Sequence, residues 1–429
     1  MRAHPVSARR VILAGSTALV LGLLASIPVA QATPVGPRHP GSLVLVGGGL
    51  KDDNRQVYGE IIKRAGGPQA RIGVITAASV PESQDPDADD PERCSNSACN
   101  GNHYASLFKK HGAADAQWVP IDLDHIANAD SDSVVAQVNA MTGFFFGGGD
   151  QYRYVTTLLN GDRHADSKVL AAIRAKLAQG AVVAGSSAGA QIASGPDMVT
   201  GGESYEALRD GSSPGYFDDA TRLGYIPGGG FGFLRSGLID THTGAYGREG
   251  RALRLAGDTH HDRVYALEEN TALVVDDPGS ADERLSVLGP NGVAVLDLRH
   301  AHTRTTTTGW SLRNAHYTYL TNGDCYAART GTPLPAPGKK LLIPRDTTPV
   351  PANSDVFHSP ANPDGRPYAF RTTARELAAR LRTRATATTY ETQPGFTVTF
   401  TEPRGFTAWS DTADNPQTLI GLRIDIAPK

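Results

Sequence analysis

The chain has 429 residues, of which 40% are hydrophobic and 20% charged, with a formal net charge of -3. That is enough for one large domain plus an extension, or for two domains, and burying a core sets no limit. With no basic excess and no Lys/Arg stripe, the composition argues against nucleic acid as a partner.

Arg2, Arg9 and Arg10 precede a charge-free apolar run over 11–30, and Ala30-Gln31-Ala32 fits the small-x-small cleavage rule. Residues 1–32 therefore read as an export signal, with a mature start near Thr33 and a secreted product. The run is long enough to span a bilayer, so an uncleaved anchor is the alternative. Gly15, Ser16, Gly22, Ser26 and Pro28 dilute it, and once it is removed no membrane association is expected. The Arg9-Arg10 pair also permits a twin-arginine route.

From residue 42, short apolar runs alternate with helical patterns, which predicts an α/β fold with a doubly wound, mostly parallel sheet and helices on both faces. Strands are expected at 42–47, 71–76, 118–122, 143–146 and 181–184. Helices are expected at 53–65, 104–111, 131–141 and 167–179, the last closed by Gly180. The Pro/Asp/Ser/Asn-rich stretch 79–102 reads as a long loop suited to a lid. Within it Cys94 and Cys99 could close a local disulfide, leaving Cys325 free. Three cysteines exclude a disulfide framework, and no second Cys or His pair at ligand spacing points to zinc, so no metal is expected.

Beyond 184 the pattern is irregular until strands at 264–267, 271–275, 285–288, 293–297 and 317–320. Pro and Thr mark a connector after residue 331, followed by a helix at 373–382 and a strand at 396–401. The predicted organisation is a signal at 1–32, a main domain at 33–330 and a partly β-rich extension at 331–429.

Gly185-Ser186-Ser187-Ala188-Gly189 sits between a buried strand and an expected helix, the context a nucleophile elbow requires. Small neighbours let strand and helix approach, and the Ala188 amide at the helix start faces the carbonyl under attack. The competing reading is an ordinary strand-to-helix turn with a Ser cap; Ser186 is the other hydroxyl. Serine needs a base and the base an orienting carboxylate. Among 13 histidines, His242 follows an apolar run as a strand-end residue would, although a surface or core histidine is the common case. Glu268-Glu269 ends another strand, where acidic pairs are commonly just solvated turns.

Four motifs in order, Phe146-Gly-Gly-Gly-Asp-Gln151, Gly-Ser-Ser-Ala-Gly-Ala190, Ile239-Asp-Thr-His242 with Arg251-x-x-Arg254-Leu255, and Leu267-Glu-Glu-Asn-Thr-Ala272, resemble the cyanophycinase family of serine peptidases over roughly residues 42–324. The resemblance implies a fold like that of class I glutamine amidotransferases and an extracellular-type enzyme. Ser187 is then the nucleophile, His242 the base and later acid, and Glu269 the carboxylate fixing its tautomer. The oxyanion falls to the amides of Ala188 and of Gly148 or Gly149, and Asp150, Gln151, Arg251 and Arg254 to substrate contact. No Gly-Lys-Ser/Thr follows the glycines, so a phosphate cradle is unsupported.

The implied substrate is cyanophycin or another aspartyl peptide or polyaspartate polymer, with no cofactor and a homodimer as an allowed assembly. Thr243, where the family has an aromatic, and a longer gap to Arg251 bear on substrate more than on reaction. An aspartyl dipeptidase and a noncatalytic binding protein on the same scaffold are the alternatives. An α/β-hydrolase esterase is weaker, because the Ser, His, acid order differs from its own.

Overall fold

The computed structural model describes residues 41–161, 164–411 and 417–429. The expected leader at 1–32 lies outside them. Half of the first sheet is wholly parallel: Ser42–Val46 pairs with Val182–Ser186, which pairs with Gly143–Phe146, then Arg71–Ile75, then Asp115–Trp118. On the other side of Ser42–Val46 the sheet turns antiparallel through Ala272–Asp276, Arg284–Leu288, Cys325–Ala327 and Thr332–Leu334.

The central parallel strands are buried on both faces, which explains why they read as unbroken apolar runs rather than alternations. Val44, Val46, Val74 and Phe145 pack with Tyr58 and Ile61 of the helix Arg55–Arg64 and Phe108 of Ser97–Lys110. Leu43, Leu45, Phe144 and Val183 join Val138 of Asp132–Asn139 and Ile173 of Lys168–Ala178 in a separate core. Helices thus cover both faces, as the alternation predicts.

A second sheet orders Leu238–Asp240, Arg263–Leu267, Gly292–Asp297, Gly309–Thr321, Thr418–Pro428, Phe396–Thr401 and Arg384–Thr388. Leu267, Val293, Val295 and Leu320 share a core with Leu273, Val275, Leu285 and Val287 of the first sheet. A further core joins Leu296, Tyr319, Val398 and Ile424 to Leu208, Leu253 and Phe370 of the helices Ser204–Asp210, Glu249–Thr259 and Ala369–Ala378.

The stretch expected as an extension at 331–429 is β-rich, yet it is built into this second sheet. Thr418–Pro428 lies between Gly309–Thr321 and Phe396–Thr401, paired to both. Alternating apolar residues such as Phe396, Val398 and Phe400, all buried, require a partner face without naming it, so the alternation alone left the boundary at the proline-rich connector.

Other elements shift for local reasons. The third strand is Asp115–Trp118 rather than 118–122, since Pro120 has no N–H for the ladder. The lid loop is shorter, because Asn96 caps the helix Ser97–Lys110 by accepting from the Cys99 amide. Asp85 holds what remains, accepting from Ser95 N and Asn96 Nδ2. Cys94 and Cys99 are disulfide-bonded and Cys325 is free.

Candidate active site

Ser187 follows the strand Val182–Ser186 in a backbone conformation, φ 55° and ψ -119°, that an L residue adopts only at a strained turn. Packing makes the strain obligatory. A Cβ on Gly185 would fall 2.1 Å from Gly189 O, and one on Gly189 would fall 2.0 Å from Phe146 O, so both flanking positions demand glycine. The Ser187 amide is anchored on Val46 O at 3.0 Å. The helix that follows is short, Ala188–Gln191.

His242 comes from the loop after Leu238–Asp240, again at positive φ, with its amide on Gly47 O at 2.7 Å. Its Nε2 lies 2.7 Å from Ser187 Oγ and its Nδ1 2.7 Å from Glu269 Oε1. Glu269 leaves the end of the neighbouring strand Arg263–Leu267, and the next residue, Asn270, donates its amide to Gly48 O at 2.7 Å. Asn54 Nδ2 and Lys51 N both donate to Asn270 Oδ1. Residues 47–51 are therefore gripped between the histidine loop and the carboxylate loop. Three segments 55 and 27 residues apart in sequence meet in one line of hydrogen bonds.

Burial depresses the His242 pKa, the hydrogen bond to Glu269 opposes it, and the nearby Arg248 charge adds a smaller depression. A neutral imidazole with Nδ1–H donated to Glu269 leaves Nε2 free to accept from Ser187 Oγ, the arrangement of a general base. Among the described residues, the amides of Ala188, Gly148 and Gly149 have no hydrogen-bond partner. A Cβ on Gly148 would lie 3.4 Å from Ser187 Cβ, so Gly148 borders the serine. Gly149 has φ +134° and its Cβ would strike Ala78 O at 2.2 Å, which excludes any other residue. Free donors beside an activated hydroxyl suit a developing oxyanion.

Asp150 caps the helix Gln151–Leu158 through Oδ1 to Tyr152 N at 2.8 Å, while Oδ2 accepts from Tyr216 OH at 2.7 Å. Gln151 Nε2 donates to Val199 O and Thr200 O. Arg251 is 4% exposed and fully engaged: Nε and Nη2 hold Asp240 at 2.9 and 2.6 Å, and Nη1 holds Gly202 O at 2.8 Å. Arg254 is tied to Asp258 and Leu208 O and covers the Trp310 ring. Both were expected to touch substrate. Both are instead buried and held by protein acceptors, Arg251 on Asp240 and Gly202 O and Arg254 on Asp258 and Leu208 O, so that they brace the Asp240 and Asp258 segments.

Arg248, one helical turn ahead of Arg251, is a residue that motif matching passed over. Its Nη1 donates to Thr241 O at 2.9 Å and its guanidinium covers the Tyr246 ring, while Nε is buried without a partner. Burial lowers its pKa to about 10. Tyr246 stacks on His242 with ring centroids 4.9 Å apart. The signal for Arg248 was the spacing Arg248-x-x-Arg251-x-x-Arg254, which places three guanidiniums along adjoining turns.

Residues 43–281 match the profile of peptidase family S51. The chain is 29% identical to a cyanophycinase of Synechococcus elongatus over 312 residues, 71% of this chain and 84% of that protein. It is 29% identical to a cyanophycinase of a Nostoc species over 323 residues, 72% of this chain and 95% of that protein. A solved peptidase from an acI-B1 actinobacterium aligns with a TM-score of 0.44 and 17% identity, over 68% of this chain and 98% of that one.

Proposed function

The chain belongs to peptidase family S51 and is a serine-type peptidase, and from that premise we propose that it hydrolyses cyanophycin to β-aspartyl-arginine dipeptides with Ser187, His242 and Glu269 as its catalytic residues. The observation that carries the residue roles is the pair of 2.7 Å contacts joining Ser187 Oγ to His242 and His242 to Glu269. The substrate is taken from the cyanophycinases that the chain resembles along most of their length.

His242 Nε2 takes the proton from Ser187 Oγ as the oxygen bonds to the scissile carbonyl carbon. The amides of Ala188 and Gly148 or Gly149 hold the resulting oxyanion. His242 then gives the proton to the leaving nitrogen as the C–N bond breaks, leaving an acyl-serine. Water attacks the ester with His242 again as base, and Ser187 recovers its proton as the product acid departs. Cyanophycin carries both carboxylates and guanidiniums. Arg248, whose positive charge reaches His242, favours a carboxylate-bearing substrate, and the carboxylate of Asp150 and the Oε1 of Gln151 at the neighbouring strand end supply acceptors for a guanidinium.

Export belongs to the same reading. The basic and apolar sequence of residues 1–32 supports it, and so does the Cys94–Cys99 disulfide, a bond that persists in oxidising compartments.

The test is to incubate the purified mature protein and Ser187→Ala with insoluble cyanophycin and with short aspartyl peptides, and to identify the products by mass. Release of β-aspartyl-arginine by the wild type alone is the expected result. Cleavage confined to short α-aspartyl peptides would replace this substrate with that of a dipeptidase. Absence of Ser187-dependent turnover on either would mark a binding protein.

A further inference from the structure

The two glutamates that close the strand Arg263–Leu267 face different surroundings. Glu269 meets His242. Glu268 turns inward, its side chain 3% exposed, and burial raises its pKa. Its charge is met from the far end of the chain: Arg371 Nη1, on the helix Ala369–Ala378, donates to Glu268 Oε2. Tyr319 OH donates to the same oxygen at 2.6 Å, and Arg371 Nη1 in turn donates to Tyr319 OH at 2.9 Å.

Two further links run from this helix to the reacting residues. Asn291 donates from Nδ2 to the backbone carbonyl of Glu269 at 3.0 Å, and its Oδ1 lies 3.5 Å from Arg371 Nη1. Tyr368, at the start of the helix, donates its amide to Gly244 O at 2.6 Å, two residues beyond His242. Gly244 accommodates that approach, since a Cβ there would fall 2.4 Å from the Tyr368 ring. The Tyr368 ring also lies under the Arg371 guanidinium, 4.2 Å from ring centre to Cζ.

We infer that the C-terminal segment is part of the catalytic apparatus, and that Arg371 is a positioning residue that orients Glu269 toward His242 by fixing Glu268 and Asn291. The inference rests on the proposed roles of Ser187, His242 and Glu269. The reason is geometric. Glu268 and Glu269 are consecutive, so holding the Glu268 carboxylate through Arg371 and the Glu269 carbonyl through Asn291 limits how far the backbone that carries the Glu269 side chain can turn. Among the described residues Arg371 is the cation within hydrogen-bond reach of that carboxylate. Losing it leaves a buried anion held by the neutral donors Tyr319 OH and Gly292 N alone, which favours rotation of the turn toward solvent.

A double-mutant cycle tests this, with kcat and KM measured on soluble β-aspartyl-arginine oligomers for wild type, Arg371→Met, Glu269→Ala and the double variant. Arg371→Met is expected to lower kcat about 10-fold or more with KM within about 2-fold, and to change kcat less than about 3-fold once Glu269 is alanine. Arg371→Lys should recover most of the rate, because all three polar contacts are made by the single nitrogen Nη1. If Arg371→Met multiplies kcat by the same factor in both backgrounds, or leaves it unchanged, the positioning role is overturned. If Glu269→Ala itself is without effect on kcat, the triad assignment fails and this inference with it. Should Arg371→Met not fold, Asn291→Ala takes its place in the same cycle, with non-additivity against Glu269→Ala again required.

Discussion

Gly48 lies so close to His242 that a Cβ on it would sit 2.1 Å from Cε1 and 2.2 Å from Nε2 of the imidazole. Gly48 also has φ +102° and receives the Asn270 amide on its carbonyl. One residue therefore sets both the wall behind the imidazole and the position of the carboxylate loop. Gly48→Ala must push the ring off Ser187 Oγ or displace the loop. It should cut kcat by at least ~100-fold while the protein stays folded, since displacement of a reacting group by an ångström costs about that factor. Steady-state kinetics beside circular dichroism check it.

The depressed pKa of His242 has contributors that can be removed one at a time. Burial lowers it first, Glu269 raises it and Arg248 lowers it. The base must be neutral, so the acid limb of the kcat/KM profile tracks this group and should lie below the ordinary histidine range. Glu269→Gln removes a raising influence and moves the limb to lower pH. Arg248→Met removes a lowering one and moves it to higher pH. Shifts in the same direction would refute the assignment of the limb to His242.

Glu249 opens the helix Glu249–Thr259 buried, with Oε2 unpartnered and its pKa pushed up to about 8 by burial, with Glu268 adding to the effect. The folded protein thus keeps a proton that the unfolded chain releases above the ordinary value of 4.5. The group's stabilising contribution is complete below that pH and is lost as pH rises toward about 8, at up to ~1.4 kcal/mol per unit. Glu249→Gln removes the dependence. Its melting temperature should gain on that of the wild type progressively from pH 5 to pH 8, as read by calorimetry at each pH.

Asp240 and Arg251 form a buried bidentate pair with side chains 3% and 5% exposed. Asp240→Asn leaves the guanidinium charged and unpaired, which costs about 3–5 kcal/mol. Because Asp240 stands two residues before His242, the variant should also lose kcat. Denaturant unfolding gives the first quantity and turnover of the folded fraction the second.

The doubly wound half was legible because its central strands are buried on both faces, and a run such as Gly143-Phe-Phe-Phe146 admits no amphipathic alternative. The elbow was legible for a related reason: Gly185 and Gly189 are the residues that contacts of 2.1 and 2.0 Å require. Local chemistry misled where a neighbour mattered. Pro120 ended a strand that an apolar pattern extended, and the Asn96 cap converted the end of a polar loop into helix.

The sequence by itself determined the α/β scaffold and the tight serine turn, because each is encoded in residue types a few positions apart. His242 and Glu269 came only from the resemblance in motif order, and the fold places them in hydrogen-bonded line with Ser187. Tertiary structure decided what depends on the far ends of the chain. Arg251 and Arg254 turned inward to meet Asp240 and Asp258, Arg248 kept a free donor, and the segment after residue 331 entered the second sheet. That last choice places Arg371 103 residues beyond Glu268. No local pattern specifies which buried carboxylate a distant guanidinium will neutralise; the folded sheet does.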